Sequence, residues 1–211
     1  MGPLLRCLWA TKSCVNKIKQ MNSSNELQSK VVIVGDSSVG KTSIISRFVK
    51  GEYTEKTVST FGCISFEAIL KNSSGNPVKL HIWDTAGQEK FRSLSAAFFR
   101  GANFAIIVFD LSKPESFHAI DYWIDSYVNV VGESAKYVLV GNKVDLITDE
   151  AQKMRLIKDM KKKYNCNVIL VSAKDGTNIE QPFKVSSDSV LSSNNIQSVS
   201  LNEDRSNQNC C

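Results

Sequence analysis

Apolar residues recur along this chain with two alternating periods, and the alternation lays out the fold. Val31-Val32-Ile33-Val34 is a short β-branched run, and Ile44, Ile45, Phe48 and Val49 behind it keep helical spacing. Phe48 to Thr60 is polar, carries Gly51 and holds no clear period, so it reads as a loop. Cys63 to Leu70 and Val78 to Trp83 are β-rich runs on either side of Asn72-Ser73-Ser74-Gly75-Asn76, a hairpin signature. Phe104 to Asp110 is almost wholly apolar, as strands buried on both faces are. Ser112-Lys113-Pro114-Glu115 predicts a capping-box start for a helix carrying Phe117, Ile120, Trp123, Ile124 and Tyr127, aromatics that read as core. Tyr137 to Val140 predicts the next strand, Thr148 to Tyr164 a charged helix striped by Met154, Ile157 and Met160, and Val168 to Val171 the last strand. Strands alternate with helices, and every polar motif falls at a strand's carboxyl end. That is the α/β arrangement with its site along one edge of the sheet.

The first of those motifs is Gly35-Asp36-Ser37-Ser38-Val39-Gly40-Lys41-Thr42, followed by Ser43. Its spacing is G-x-x-x-x-G-K-[ST] between a strand and a helix, the setting of a phosphate-binding P-loop. Gly35 and Gly40 let the backbone turn its N–H groups into one anion-binding concavity, and the helix start adds a partial positive charge. Lys41 can reach terminal phosphates, and the Thr42 hydroxyl is placed to ligate Mg²⁺. The loop alone does not say which nucleoside triphosphate it takes. Trp83-Asp84-Thr85-Ala86-Gly87-Gln88-Glu89 ends the hairpin's second strand. Asp84 can hold Mg²⁺ through water, the Gly87 N–H can meet a γ-phosphate, and Gln88 can orient an attacking water.

Composition narrows the class without adding chemistry. The 211 residues make one domain with extensions, and 42% apolar content is enough for a core. No apolar run approaches the roughly 20 residues of a membrane span. The net charge of +5 is concentrated in the first thirty residues and in Lys158, Lys161, Lys162 and Lys163. Neither cluster interleaves aromatics or forms a reader motif, so nucleic acid is not expected as a partner. Cys7, Cys14, Cys63 and Cys166 show neither metal spacing nor a disulfide framework, which suits a reducing compartment.

These residues resemble the small GTPases of the Ras superfamily and, within it, the Rab family, from about Ser29 to Phe183. The most specific stretch is Trp83 to Leu94, continued by Phe98-Phe99-Arg100-Gly101-Ala102, with Asn142-Lys143-x-Asp145 and Ser172-Ala173-Lys174 behind it. A carboxylate such as Asp145 accepts from both N1–H and the 2-amino group of guanine. Adenine offers neither, a penalty of roughly 1–3 kcal/mol. The resemblance implies a P-loop fold with a mostly parallel sheet, one antiparallel edge strand and helices on both faces. It further implies that Asn142 supports the base, that Lys143 lies along it and that the Ala173 N–H meets the guanine oxygen. Tyr53 stands where the family packs an aromatic on the base. Thr60 stands where switch I closes on Mg²⁺ and the γ-phosphate, with Thr57 as the competing candidate. One residue looks inserted among Cys63, Ile64 and Ser65. Phe66, Trp83 and Phe98 match the aromatic triad that Rab proteins present to effectors. Lys41, Thr60 and Gln88 are the expected catalytic set, and Ser37 is small enough to admit a partner's arginine. Intrinsic turnover in such enzymes is on the order of 10⁻⁴ s⁻¹.

The ends are read separately. Residues 1 to 28 form a basic leader expected to be disordered, faintly like a transit peptide, with Met21 as an alternative start. A G domain occupies 29 to 183, and a Ser- and Asn-rich tail, largely disordered, runs from 184 to 211. Pro182 intrudes just past the first turn of the final helix, which is expected to be short and weak. The terminal Cys210-Cys211 resembles the doubly geranylgeranylated end of many Rab proteins, and two chains suffice for stable anchoring. The resemblance implies a monomer on the cytoplasmic face of an endomembrane with a soluble cytosolic pool. Its implied partners are an exchange factor, a GTPase-activating protein, a GDP-dissociation inhibitor, an escort protein with its transferase, and effectors. The competing expectation is a GTP-binding module whose irregular switch I and weak last helix leave it without a cycle.

Overall fold

A computed structural model describes residues 27–55, 60, 62–87 and 92–190, with the side chains of 92–95 left aside. Its frame is a six-stranded sheet in the order β2-β3-β1-β4-β5-β6. The strands are β1 (Leu27–Val34), β2 (Cys63–Lys71), β3 (Pro77–Thr85), β4 (Phe104–Asp110), β5 (Tyr137–Asn142) and β6 (Val168–Leu170). Only the β2–β3 pair is antiparallel. The helices are α1 (Lys41–Lys50), α2 (Arg92–Phe99), α3 (Pro114–Val131), α4 (Glu150–Tyr164) and α5 (Gln181–Asp188).

The pleat of β1 divides the core in two, because successive side chains leave opposite faces of a strand. Val31 and Ile33 pack with Ile44 and Ile45 of α1, and with Ile179 and Phe183 at the last helix. Val32 and Val34 pack with Phe99 of α2, Trp123 and Tyr127 of α3, and Met160 of α4. The aromatics expected to be core are core: Trp123 and Tyr127 are fully buried.

Two helix starts differ from expectation. No capping box forms at α3, whose N-cap is Lys113 with Pro114 behind it, a position where the missing N–H costs nothing. Ser112 instead gives its N–H and its hydroxyl to Asp110 Oδ1, at 2.9 and 2.7 Å. At the last helix, Pro182 lies within the first turn rather than beyond it, because the helix begins at Gln181. The proline is therefore tolerated. The helix continues through Lys184 to Asp188, past Phe183, and is docked rather than loose. Phe183 stacks on Phe48 of α1 with ring centroids 3.9 Å apart and planes 8° from parallel. Asp188 Oδ1 accepts the Ser73 N–H of the β2–β3 turn at 2.6 Å.

The β2–β3 ladder pairs Cys63 to Lys71 with Thr85 to Pro77 one for one. No residue bulges out among Cys63, Ile64 and Ser65, so the irregularity in this segment is not a bulge. The ladder sets a parity instead: Ser65 stands opposite Trp83, and Phe66 opposite Ile82. The five-residue turn fixes that register, with Asn72 Oδ1 accepting from the N–H groups of Ser74 and Asn76 at 3.1 and 2.9 Å.

Candidate functional site

The carboxyl ends of β1, β3, β4, β5 and β6 all point to one edge of the sheet, where a cleft of about 560 Å³ opens. Ser37, Ser38, Gly40, Lys41, Thr42 and Ser43 form its phosphate side, with Tyr53, Thr60 and Gly87 around the mouth. Asn142, Lys143, Asp145, Ala173 and Lys174 form the opposite side. The volume lies in the usual range for ligand sites. Gly35, Asp36 and Val39 of the same loop, and Ser172 across from it, do not line the opening.

On the phosphate side, Gly40 has φ +95°, and a Cβ there would strike Asn142 Nδ2. A Cβ on Gly87 would strike Lys41 Nζ and the Asp36 carbonyl, so only glycine lets these strands' ends approach. Lys41 is 6% exposed and donates to the carbonyls of Gly35 and Asp36, both at 2.8 Å. Burial lowers its pKa to about 8, against the raising effect of Asp84 and Asp36. A buried cation held only by carbonyls is matched to an anion.

Beside it, three oxygens converge. Thr42 donates to Asp84 Oδ2 at 2.6 Å, and Thr60 Oγ1 lies 2.9 Å from Thr42 Oγ1 and 3.3 Å from the same carboxylate oxygen. Asp84 is fully buried, and its Oδ1 has no hydrogen-bond partner among the described residues. Burial raises its pKa, more than Thr42, Lys41 and Thr60 together lower it. An orphaned carboxylate oxygen next to two hydroxyls fits a divalent cation that also takes phosphate oxygens, as Mg²⁺ does. Among the described residues no cluster of three His, Cys, Asp or Glu side chains offers a metal cage. The fit is thus to a hard ion shared with a phosphate ligand.

The base side is held by cross-bonds. Asn142 Nδ2 donates to the Val39 carbonyl at 2.9 Å, and Asn142 Oδ1 accepts the Ala173 N–H at 3.2 Å. Asp145 Oδ1 accepts the Ser172 hydroxyl at 2.7 Å. Four residues of the two motifs, Asn142, Asp145, Ser172 and Ala173, are therefore brought together, and Asn142 ties them to the P-loop as well.

Three supporting residues were not read from the sequence as part of the site. Asp110, at the end of β4, takes the Lys143 ammonium at 2.5 Å while Lys143 holds a left-handed φ of +66°. Burial opposes that carboxylate's charge, but Lys143 and Ser112 outweigh it and its pKa is lowered. Arg47 of α1 reaches the Ala173 carbonyl at 2.9 Å and also bonds the Lys174 carbonyl. Trp123, read only as core, donates its indole N–H to Asp36 Oδ1 at 3.0 Å. A carboxylate at a strand's end was a usable signal for Asp110. Arg47 and Trp123 left none.

Other expectations fare differently. Tyr53 lies at the mouth, 37% exposed. Trp83 and Phe98 meet with ring centroids 6.3 Å apart. Phe66 does not join them: it packs with Ile82 in the core on one side of the sheet, while Trp83 packs on the other. Gln88, Thr57, Cys210 and Cys211 lie outside the described residues, as do residues 1–26.

With the P-loop and its buried lysine on one wall of the cleft and Asn142, Lys143 and Asp145 on the other, this is a P-loop nucleotide-binding domain. The family model described as Ras family matches residues 30–192. The GTP-binding protein ypt1 of Schizosaccharomyces pombe is 34% identical over 204 residues, covering 90% of this chain and 100% of its own. Ras-related protein RABD2a of Arabidopsis thaliana is 36% identical over 170 residues, 81% of this chain and 83% of its own. Ras-related protein RIC1 of Oryza sativa is 35% identical over 163 residues, 77% and 80%. The chain belongs to the Ras family and, within it, to the Rab small GTPases: it is a GTPase switch that binds GTP and GDP.

Proposed function

We propose that this chain runs a full GTP cycle and uses it to recruit effectors to the cytoplasmic face of an endomembrane in vesicle traffic. The observation that carries the reading is the convergence of Thr42, Thr60 and Asp84, with its orphaned Oδ1, beside the buried ammonium of Lys41. Thr42, Thr60 and Asp84 would hold Mg²⁺, which when bound neutralises charge on the β- and γ-phosphate oxygens. Lys41 leaves its two carbonyls for the terminal phosphates. Asp145 takes the guanine edge, Asn142 and Lys143 support the ring, and Tyr53 covers it. Gln88 orients a water for in-line attack on the γ-phosphorus. The new P–O bond forms as the bond to the β–γ bridging oxygen breaks, leaving GDP and phosphate.

Thr60 is the switch I ligand in this reading, and the triphosphate holds its loop in the closed position that the diphosphate releases. Regulators and effectors act on that closure: an exchange factor, a GTPase-activating protein and a GDP-dissociation inhibitor. Cys210 and Cys211 receive geranylgeranyl chains by way of an escort protein, giving a lipid-anchored form and a cytosolic pool. The module without a cycle is less well supported, because α5 is docked and Thr60 reaches the hydroxyl–carboxylate cluster.

Single-turnover hydrolysis tests the cycle. Wild type should convert bound GTP, and Gln88→Leu should bind GTP as tightly while hydrolysing it at least tenfold more slowly. Equal rates would remove Gln88 from catalysis and return the chain to the binding-module reading.

A further inference from the structure

We propose that the outer face of α4 docks on an anionic bilayer. Arg155, Lys158, Lys161 and Lys162 are exposed, and their spacing puts them in one stripe with Met154, an apolar side chain 67% exposed. Glu150 and Asp159 are the acids at the two margins of this stripe, Glu150 paired with Lys153 at 2.7 Å, and Lys163 beyond Asp159 is already engaged with Asp121 at 3.0 Å. The opposite side of α4 is the packed one, through Leu156, Ile157, Met160 and Tyr164. Basic residues around an exposed apolar side chain suit a surface of anionic headgroups over acyl chains.

The position of the stripe supports the same occupant. Asn165 caps α4 and leads to Val168, which pairs with Leu139 near the start of β5. Lys136, immediately before β5, donates its ammonium to the carbonyl of Ser189, at the end of α5. The last turn of α4 and the exit of the tail therefore share the sheet edge opposite the nucleotide cleft. From Leu191 the tail needs 20 residues to reach Cys210 and carries only Glu203, Asp204 and Arg205 as charges. It brings no basic run of its own to a membrane, whereas the α4 stripe supplies one close to where the tail departs. This inference rests on the lipid-anchor reading of Cys210 and Cys211, which puts that edge near a bilayer.

Each basic residue held close to an anionic surface improves partitioning by about fivefold. The net excess on α4 should therefore give at least a tenfold preference for charged vesicles, lost at high salt. The test is sedimentation of the GDP-loaded full chain, lipidated and unlipidated, with phosphatidylcholine vesicles and with vesicles carrying phosphatidylserine. Wild type should prefer the anionic vesicles in both forms. Lys158→Glu/Lys161→Glu/Lys162→Glu should lose that preference while holding GDP unchanged, and a chain without residues 1–20 should keep it. The inference falls if the triple variant retains the preference, if removing residues 1–20 abolishes it, or if wild type shows none. It falls equally if the lysines instead capture an acidic protein and ignore vesicles. Failure of the anchor reading is separate: mass spectrometry would show no prenyl groups on incubation with transferase and escort protein, while the unlipidated chain still reports the headgroup preference.

Discussion

Phe183→Ala is the change that most directly asks whether the last helix holds the domain together. The ring is fully buried, stacked on Phe48, and packed into the core shared with Ile44, Ile45, Val171 and Ile179. Phe→Ala at a buried site costs about 3–5 kcal/mol. The Phe48 stack contributes about 0.5–1.5 kcal/mol of that beyond area. Since α5 has eight residues, few helical bonds of its own and Pro182 in its first turn, it depends on Phe183 for its docking, and the upper half of the range is expected because losing the ring frees the helix as well. Urea unfolding of the GDP-saturated protein should show a loss of about 4 kcal/mol. Thermal unfolding should drop by about 8–16 °C at 2–4 °C per kcal/mol for a domain of this size. Because Ile179 lies on the approach from Ala173 to α5, GDP release should also quicken. A double-mutant cycle with Phe48→Leu should return a coupling of about 1 kcal/mol. A loss under about 1 kcal/mol would mean that α5 is not docked as described, and the reading of a domain without a working cycle would regain its ground.

Three further perturbations address the cleft. Asp145→Asn exchanges an acceptor for a donor opposite the purine 2-position and should weaken GDP by about 1–3 kcal/mol while favouring XDP; unchanged affinities for both would refute the base-reading assignment. Thr60→Ala should weaken Mg²⁺-GTP far more than GDP and Thr57→Ala should do little, as read by nucleotide release with and without chelator; the reverse would give the ligand position to Thr57. Trp123→Phe removes the N–H given to Asp36 and should speed GDP release about fivefold, at some cost in stability because the smaller ring leaves space in a fully buried site, whereas an unchanged release rate would make that bond incidental.

The edge of the sheet that carries chemistry was legible because its motifs are local. Gly35 to Thr42, Asp84 to Gly87, Asn142 to Asp145 and Ser172 to Lys174 each keep their residues within one turn, and the alternation of periods was enough to put every turn at the same end. Contacts between elements were not legible. Arg47 meets Ala173 across 126 positions and Trp123 meets Asp36 across 87, and neither residue type nor spacing announces such a bond. Pro182 misled for a different reason. A proline breaks a helix only by where it falls, and helix starts are uncertain by a turn from sequence alone. Placed in the first turn it initiates α5, and placed one turn later it would have ended it.

Register was the other blind spot, and it bears on recognition. The resemblance to Rab proteins marks Phe66, Trp83 and Phe98 as a set, but a side-chain period of two means that one step of pairing decides which face a residue joins. The turn around Asn72 takes five residues, closed by the Asn72 N–H to the Asn76 carbonyl at 3.0 Å, and that closure puts Ser65 rather than Phe66 across from Trp83. The outer face beside Trp83 then reads Ser65, Glu67 and Ile69, with Glu67 tied to Lys79 at 2.9 Å and Ile69 64% exposed. A partner reaching Trp83 and Phe98 there meets a hydroxyl and an ion pair where a third ring was expected. An aromatic ring offers about 150–250 Å² of contact, and rings of this kind dominate the energy of small interfaces. The exposed Ile64 and Ile69 are too far apart along β2 to replace it as one patch. An effector that reads this face would therefore gain its affinity from a narrower aromatic pair and from polar contacts to β2, and one shaped for three contiguous rings would be selected against by the register itself.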